Sequence, residues 1–392
     1  MTEFDLLIAD ARIVAPGGTI ERGWVGISEG VIAEIGGGSP SASISARVVK
    51  NIDGAWLGPG FIDLHVHGSA GVDVMNTDDA GLLSLSRFFA TRGVTAFLAG
   101  TYTLDHESTM EALQRLGRVR PQVRSGAHIL GAYMEGPYLS HERKGAHREQ
   151  HLRAIDRAEI AAYLDTGVVR AFVLAPELDD ADWLIDELGR RQIAAVAGHT
   201  DATFAQIARA HDAGVVSITH TFNGMRGLHH REPGTAGAAL LLDDLVCEVI
   251  SDGLHLAPEL MKLFWRMKGA EGIALITDAG IAGGLPDGRY ATGDRFVTIT
   301  GGVGRLDNGT ISSSAKTFDH NFALFCRYAG VEFDQAWPSA SSVPASIAGV
   351  ADRKGSLEKG KDADLVVLTP EGVVKATVID GEWLVDEEGT SQ

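Results

Sequence analysis

Two histidines close the run PGFIDLHVHG at residues 59–68. The run is made of strand formers, and alternate residues of a strand face the same side. His65 and His67 therefore converge on one point while Val66 turns away. Two imidazoles so placed either form half of a metal site or take backbone partners at a strand end. Neutral imidazole is a common ligand of zinc, iron and other first-row ions. More histidines and carboxylates follow along the chain: Glu135, His199, His220, Asp252, His255 and Asp278. Such nitrogen and oxygen donors suit one or two divalent ions, with Glu135 as the candidate bridge. An ion of this kind polarises a carbonyl and lowers the pKa of water from about 16 to about 7, so hydrolysis of an amide-like bond is the expected reaction. A proton shuttle is then needed, and Asp278, at the end of GIALITDAG, is the candidate acid/base. His147, in KGAH, is the candidate donor to the developing oxyanion, its alternative being a solvated loop histidine.

The elements that must position these residues are legible in the hydrophobic pattern. Eight strand-like runs occur: FIDLHV, VTAFLA, AHILGAYM, VRAFVLA, IAAVAG, GVVSITH, LVCEVIS and GIALIT. Amphipathic stretches such as DDAGLLSLSRFFATRG, with Thr77 or Asp78 as its cap, and DATFAQIARAHDAG separate most of them. Eight strand–helix units predict a parallel sheet closed into a (β/α)8 TIM-like barrel, whose active site lies at the C-terminal strand ends. The candidate ligands fall there. His65 and His67 end the first run, Glu135 the third, His199 the fifth and His220 the sixth; Asp252 and His255 follow the seventh, and Asp278 the eighth. Any one of them has a structural alternative, such as capping the next helix. Six strand ends carrying only His, Glu and Asp point to a metal site. Short β segments at both termini predict a small β-sandwich domain from residues 1–55 plus 359–392, leaving 56–358 as the catalytic barrel.

Composition limits the partners. The 392-residue chain is 45% hydrophobic, enough for a large core, and its formal net charge of −18 argues against nucleic acid or an anionic membrane surface. An anionic substrate would need local positive charge against that field. Two cysteines, Cys247 and Cys326, lie in apolar runs and exclude a disulfide framework. The start MTEFDLLIADARIV carries no basic, apolar leader, and no apolar stretch reaches membrane-spanning length, so the cytoplasm is the expected compartment.

The motifs PGFIDLHVHG, MEGPYLS, KGAH, AGHTDAT, THTFNGM, REPG, SDGLH and ITDA resemble, in that order, those of the N-acetylglucosamine-6-phosphate deacetylases of the amidohydrolase superfamily. The resemblance covers nearly the whole chain. MEGPY followed by KGAH separates this family from dihydroorotases and hydantoinases, which typically use a modified lysine in place of the glutamate. The resemblance implies that Glu135, His199 and His220 are the primary metal ligands. His65 and His67 match the pair that forms a second metal site in some members, so one or two ions are implied, zinc first, with iron, cobalt or cadmium compatible. It further implies Asp278 as acid/base, Ala146 and His147 against the sugar, and Asn223, Gly224, Arg231 and His255 around phosphate and sugar. The equivalent of Arg231 can come from the neighbouring subunit in this family, which implies a homodimer. The activity implied is deacetylation of N-acetylglucosamine 6-phosphate in amino sugar metabolism.

Two features depart from the family pattern. Many relatives carry Leu-Ala-Gly-Ser where this chain has Ile311, Ser312, Ser313 and Ser314 lining the substrate pocket, and His229 and His230 precede Arg231. The alternatives are the same chemistry on N-acetylgalactosamine 6-phosphate, an amidohydrolase acting on a cyclic amide or acyl-amino acid, and a non-catalytic sugar-phosphate-binding protein. The intact ligand set and Asp278 speak against the last.

Overall fold

The computed structural model describes residues 2–293 and 295–384. The last eight residues of the expected small domain, 385–392, lie outside the described residues. The fold is a (β/α)8 barrel with a β-sandwich built from both termini. Strands Thr2–Ala15, Gly18–Ser28, Val31–Gly37, Ile44–Asn51 and Trp56–Pro59 share one sheet with Leu365–Leu368, Val374–Ile379 and Glu382–Trp383. The two ends of the chain meet where Trp56–Pro59 runs antiparallel to Leu365–Leu368. Alternation along these strands buries Leu6, Ile8, Ile13, Val25, Ile27, Leu365 and Val367 in their own core.

After Gly60 the pattern changes to nearly continuously buried strands, as expected of a sheet covered on both faces. The eight barrel strands are Phe61–Val66, Val94–Thr101, His128–Glu135, Val169–Leu174, Ala194–Ala197, Val215–Ile218, Val246–Ile250 and Ile273–Ile276. They pair in that order, each parallel to the last. These are the eight runs expected from the sequence. A helix follows each, the first over Asp79–Ala90, where Asp78 accepts from the Gly81 N–H as N-cap.

Closure between the first and eighth strands sits directly under the site. Asp278 N–H donates to His65 O at 2.9 Å and His67 N–H to Ala279 O at 2.8 Å. Below them, Thr277 Oγ1 donates to the fully buried Asp63 at 2.5 Å, which also accepts the Thr277 and His65 N–H groups. Burial raises the Asp63 carboxyl to about 7 against these bonds. The seam thus fixes His65, His67 and Asp278 relative to one another.

The chain between the eighth strand and its helix, Phe318–Ala329, holds an element that the sequence reading did not foresee. Gly288–Thr292, Arg295–Thr300, Val303–Arg305 and Ile311–Ser314 form a four-stranded antiparallel sheet. Its strands are short and Gly-rich at the turns, and PDG, GG and DNG between alternating runs are the hairpin signals that mark it.

At the opposite end from the site, Trp337 is fully buried among Trp56, Phe61 and Phe322 and donates Nε1–H to Pro59 O at 2.9 Å. A Cβ on Gly58 would lie 2.2 Å from that indole, whereas one on Gly17 meets nothing within 4 Å. Gly58→Ala is therefore expected to destabilise the fold by about 1–3 kcal/mol. Gly17→Ala should leave it unchanged. Urea unfolding of the two variants checks the contrast.

Candidate metal centre and active site

Glu135 ends the third barrel strand and is 4% exposed. Four of the five histidines foreseen around it come within reach of its carboxylate. Oε1 lies 3.1 Å from His199 Nε2 and 2.9 Å from His220 Nε2. Oε2 lies 3.2 Å from His67 Nε2 and 3.3 Å from His147 Nε2, with His65 Nε2 at 3.6 Å. Asp278 Oδ1 completes the cluster at 3.4 Å from His67 and 3.7 Å from His65. The His65 and His67 Nε2 atoms are 3.0 Å apart, as the i, i+2 spacing predicts.

Backbone shape aims these groups inward. His199, His220 and Asp278 have φ of +45°, +25° and +47°, a left-handed conformation that costs non-glycine residues on the order of 1–3 kcal/mol each. Each follows a barrel strand by two residues, so the turn swings its side chain over the barrel mouth.

Hydrogen bonds on the far side of each ring fix its tautomer. His199 Nδ1 faces Arg143 O at 2.8 Å and His220 Nδ1 faces Asn223 O at 3.1 Å. A carbonyl only accepts, so both Nδ1 atoms carry hydrogen and both neutral rings present a bare Nε2. Those two Nε2 atoms are 3.1 Å from each other and both face Glu135 Oε1. Three acceptors converge with no proton between them, which is repulsive unless a cation sits among them. A divalent ion fits this donor set, and the carbonyls behind the imidazoles are the outer partners that metal-ligating histidines generally have. Without the ion a proton can meet the same demand. Burial works against charge on His220, but Glu135 lifts it to about 9; burial likewise opposes His67, but Asp278 and Glu135 lift it to about 10. Both carboxyls are held below the usual range against burial, chiefly by the histidines around them.

His147 behaves differently. Burial, then His199, lowers it to about 4, so its ring is neutral at neutral pH. The Thr103 N–H donates to His147 Nδ1 at 3.3 Å, which leaves the ring hydrogen on Nε2, pointing into the site. This is a fixed neutral donor, not the solvated loop histidine that was the alternative.

A cavity of about 600 Å³ opens over the cluster. Ala146, Asn223, Gly224, His255, Ile311, Ser312 and Ser313 all line it, as expected. Asn223 Nδ2 is buried with no hydrogen-bond partner among the described residues, a donor aimed at nothing in the protein. Asp252 is not in the lining; it accepts His255 Nδ1–H at 2.7 Å and the Leu254 and His255 N–H groups, and so orients His255. Ser314 donates to the same Asp252 at 2.9 Å, so of the three serines in the variant segment only Ser312 and Ser313 face the cavity. Arg231 is not brought to this cavity. It is exposed, with a guanidinium nitrogen 2.7 Å from His230 Nε2. Residues not foreseen also line the cavity, notably Tyr102, Arg148 and Arg295. Arg295, on the four-stranded insert, donates to Ala146 O at 2.9 Å and holds the loop that carries His147. The alternating run RFVTIT was the available signal.

The chain is similar to known proteins in sequence and fold. Residues 56–384 match the model of the amidohydrolase family. An N-acetylglucosamine-6-phosphate deacetylase of Vibrio furnissii is 39% identical over 84% of this chain and 83% of its own. An N-acetylgalactosamine-6-phosphate deacetylase of Escherichia coli O157:H7 is 37% identical over 89% of this chain and 92% of its own. A solved variant of the Mycobacterium smegmatis N-acetyl-D-glucosamine-6-phosphate deacetylase, in complex with N-acetyl-D-glucosamine-6-phosphate, superposes with a TM-score of 0.90 at 33% identity, covering 97% of this chain and 99% of that one.

Chelation is expected to lower the thermal midpoint by several degrees and zinc to restore it, because an ion at about 1,000 times its Kd adds about 4 kcal/mol to the folded state. Glu135→Gln should abolish the response to zinc. Differential scanning fluorimetry on both proteins reads the outcome.

Proposed function

The chain belongs to the amidohydrolase family, among the N-acetylglucosamine-6-phosphate deacetylases, and from that premise we propose that it hydrolyses N-acetylglucosamine 6-phosphate to glucosamine 6-phosphate and acetate. The observation that carries the reading is the pairing of an acceptor cluster that demands a cation with a neutral donor, His147, aimed into the same space.

Glu135, His199 and His220 would hold the primary ion, and His65 with His67 a second, Glu135 bridging. Zinc suits the donor set best, and iron, cobalt or cadmium would also bind it. When bound, the ion supplies the Lewis acidity that polarises an acyl carbonyl and acidifies water. The protein's own groups do the rest. Asp278, held beside His65 and His67, takes a proton from the attacking water and then gives it to the leaving sugar nitrogen. His147 Nε2–H donates to the carbonyl oxygen as it gains charge, and burial keeps the ring neutral, so the donor brings no charge of its own. Ala146 and His147 would meet the sugar, Ser312 and Ser313 the acyl side, and Asn223, Gly224 and His255 the phosphate side.

Arg231 would reach the phosphate of a neighbouring subunit. Supporting this, its loop and the two helices after it expose the apolar side chains of Leu228, Leu241, Leu263 and Met267, which a homodimer contact would cover. Arg suits phosphate because its fork donates two parallel hydrogen bonds. The two cysteines are buried and unpaired, which agrees with a reducing compartment, and we place the reaction in the cytoplasm. Among the described residues no helix is long and apolar enough to cross a membrane. The relative that acts on N-acetylgalactosamine 6-phosphate supports a second reading, the epimeric substrate.

Acetate release from both epimers decides between them: faster turnover of the glucosamine form is expected, and faster turnover of the galactosamine form would replace the assignment. Asp278→Asn should keep the fold and lose on the order of 100-fold to 10,000-fold in kcat. Near-normal turnover in that variant would refute its role. Arg231→Ala and Asp278→Asn subunits, each nearly inactive alone, should regain about a quarter of wild-type activity when mixed and allowed to exchange, since half of the dimers are hybrids with one complete site. No recovery from demonstrated hybrids would place Arg231 outside the partner's site.

A further inference from the structure

Glu248 lies on the seventh barrel strand, fully buried, and takes no part in the chemistry above. Its two oxygens each face one hydroxyl: Ser217 Oγ at 2.7 Å from Oε1, and Tyr133 Oη at 2.7 Å from Oε2. Tyr133 Oη is also 2.8 Å from Thr219 Oγ1, and Thr219 Oγ1 is 3.0 Å from His65 Nδ1. The Tyr133 ring stacks on the His65 ring with centroids 4.3 Å apart. All of these groups are buried at 0% exposure.

Counting protons gives the chain a direction. A carboxylate only accepts, so it takes the single Tyr133 hydroxyl proton. Thr219 must then donate its own proton to Tyr133 Oη, and its oxygen is left to accept from His65 Nδ1–H. Run this way, the chain puts the His65 hydrogen on Nδ1 and leaves Nε2 bare toward His67 and Glu135. Run the other way, Thr219 would donate to His65 Nδ1 and the ring hydrogen would move to Nε2, where it blocks coordination.

We propose that Glu248, acting through Tyr133 and Thr219, is a positioning residue that holds His65 in the tautomer able to bind a cation, and thereby sets the affinity of the ion shared by His65 and His67. This rests on the two-ion reading given above. His199 and His220 have backbone carbonyls behind them. His65 has a hydroxyl, which can donate or accept, so it alone of the three needs an anion further back to choose for it.

The test uses Thr219→Val, which keeps the shape and removes the hydroxyl, Thr219→Ser, which keeps the hydroxyl, and Tyr133→Phe, which cuts the chain one link earlier. Nitrogen NMR of the metal-free protein is expected to show the His65 hydrogen on Nδ1 in the wild type and Thr219→Ser, and a shift toward Nε2 in Thr219→Val and Tyr133→Phe. Calorimetric titration with zinc should show the second Kd weakened about 10- to 100-fold in the latter two, with the first unchanged. A wild-type His65 tautomer and second Kd in either folded Thr219→Val or Tyr133→Phe would overturn the proposal. A wild-type chain that takes up one ion only would overturn the two-ion reading instead, and the His65 tautomer across the variants would still decide the relay.

Discussion

Glu135 puts a carboxylate at the mouth of an apolar barrel, and its surroundings are arranged to keep it charged. An isolated buried carboxylate would be neutralised, because loss of hydration costs several kcal/mol even after relaxation. Here four imidazole nitrogens lie within about 3.3 Å of its oxygens. The rings cannot all be donors, because His199 and His220 spend their hydrogens on carbonyls behind them. The cluster is therefore electrostatically incomplete in itself, and a cation completes it. Binding energy for that cation is stored in the fold as converging acceptors and left-handed turns. Both persist because the barrel strands and the Asp63–Thr277 seam leave the side chains no other place to go.

The same logic bears on the charge tension between an acidic chain and an anionic substrate. A net charge of −18 acts over the whole surface, but the field inside a cleft is set by the groups lining it. In the cavity Arg148, Arg295 and His255 stand beside the carboxylates Asp73, Asp105, Glu135 and Asp278, and among the described residues the Asn223 amide nitrogen has no partner. Asp252, the carboxylate nearest His255, is committed to that ring, to Ser314 and to two backbone N–H groups, so its charge orients the imidazole more than it repels an anion.

Much of this was legible because the barrel writes its pattern twice. The strands read as apolar runs, and the candidate ligands and acid/base lie at or just past their ends, so strand and candidate site come from one reading at His65, Glu135, His199, His220 and Asp278. The residues that were missed lack that double signal. Arg295 sits on a half-exposed hairpin strand where Arg is unremarkable, and Tyr102 reads as one more aromatic after a strand. Thr219 and Glu248 are ordinary strand residues until Tyr133, 86 and 115 positions away, is brought to them. Arg231 was singled out by its motif context, and a single chain shows only that it points away from its own cavity.

The four-stranded insert explains how such a site can vary its preference without losing its chemistry. Its strands pair mainly with one another, through local antiparallel hairpins, and its last strand joins the barrel mouth where the Ser314 N–H donates to Asp278 O at 3.1 Å. It is nevertheless pinned to the mouth at a few points. Thr292 donates to Asp73, which also accepts from Asn76 and Tyr102; Arg295 donates to Ala146 O; Ser314 donates to Asp252. Between these pins Ile311, Ser312 and Ser313 form one wall of the cavity. The pins reach into the loops that carry His147 and His255, so the wall and the chemical groups are held in one frame. Substituting Ser312 or Ser313 alters what the wall offers an acyl group, while substituting Ser314 loosens the carboxylate that aims His255. Adjacent serines of one segment thus face different groups: Ser312 and Ser313 line the cavity, while Ser314 bonds Asp252 behind it.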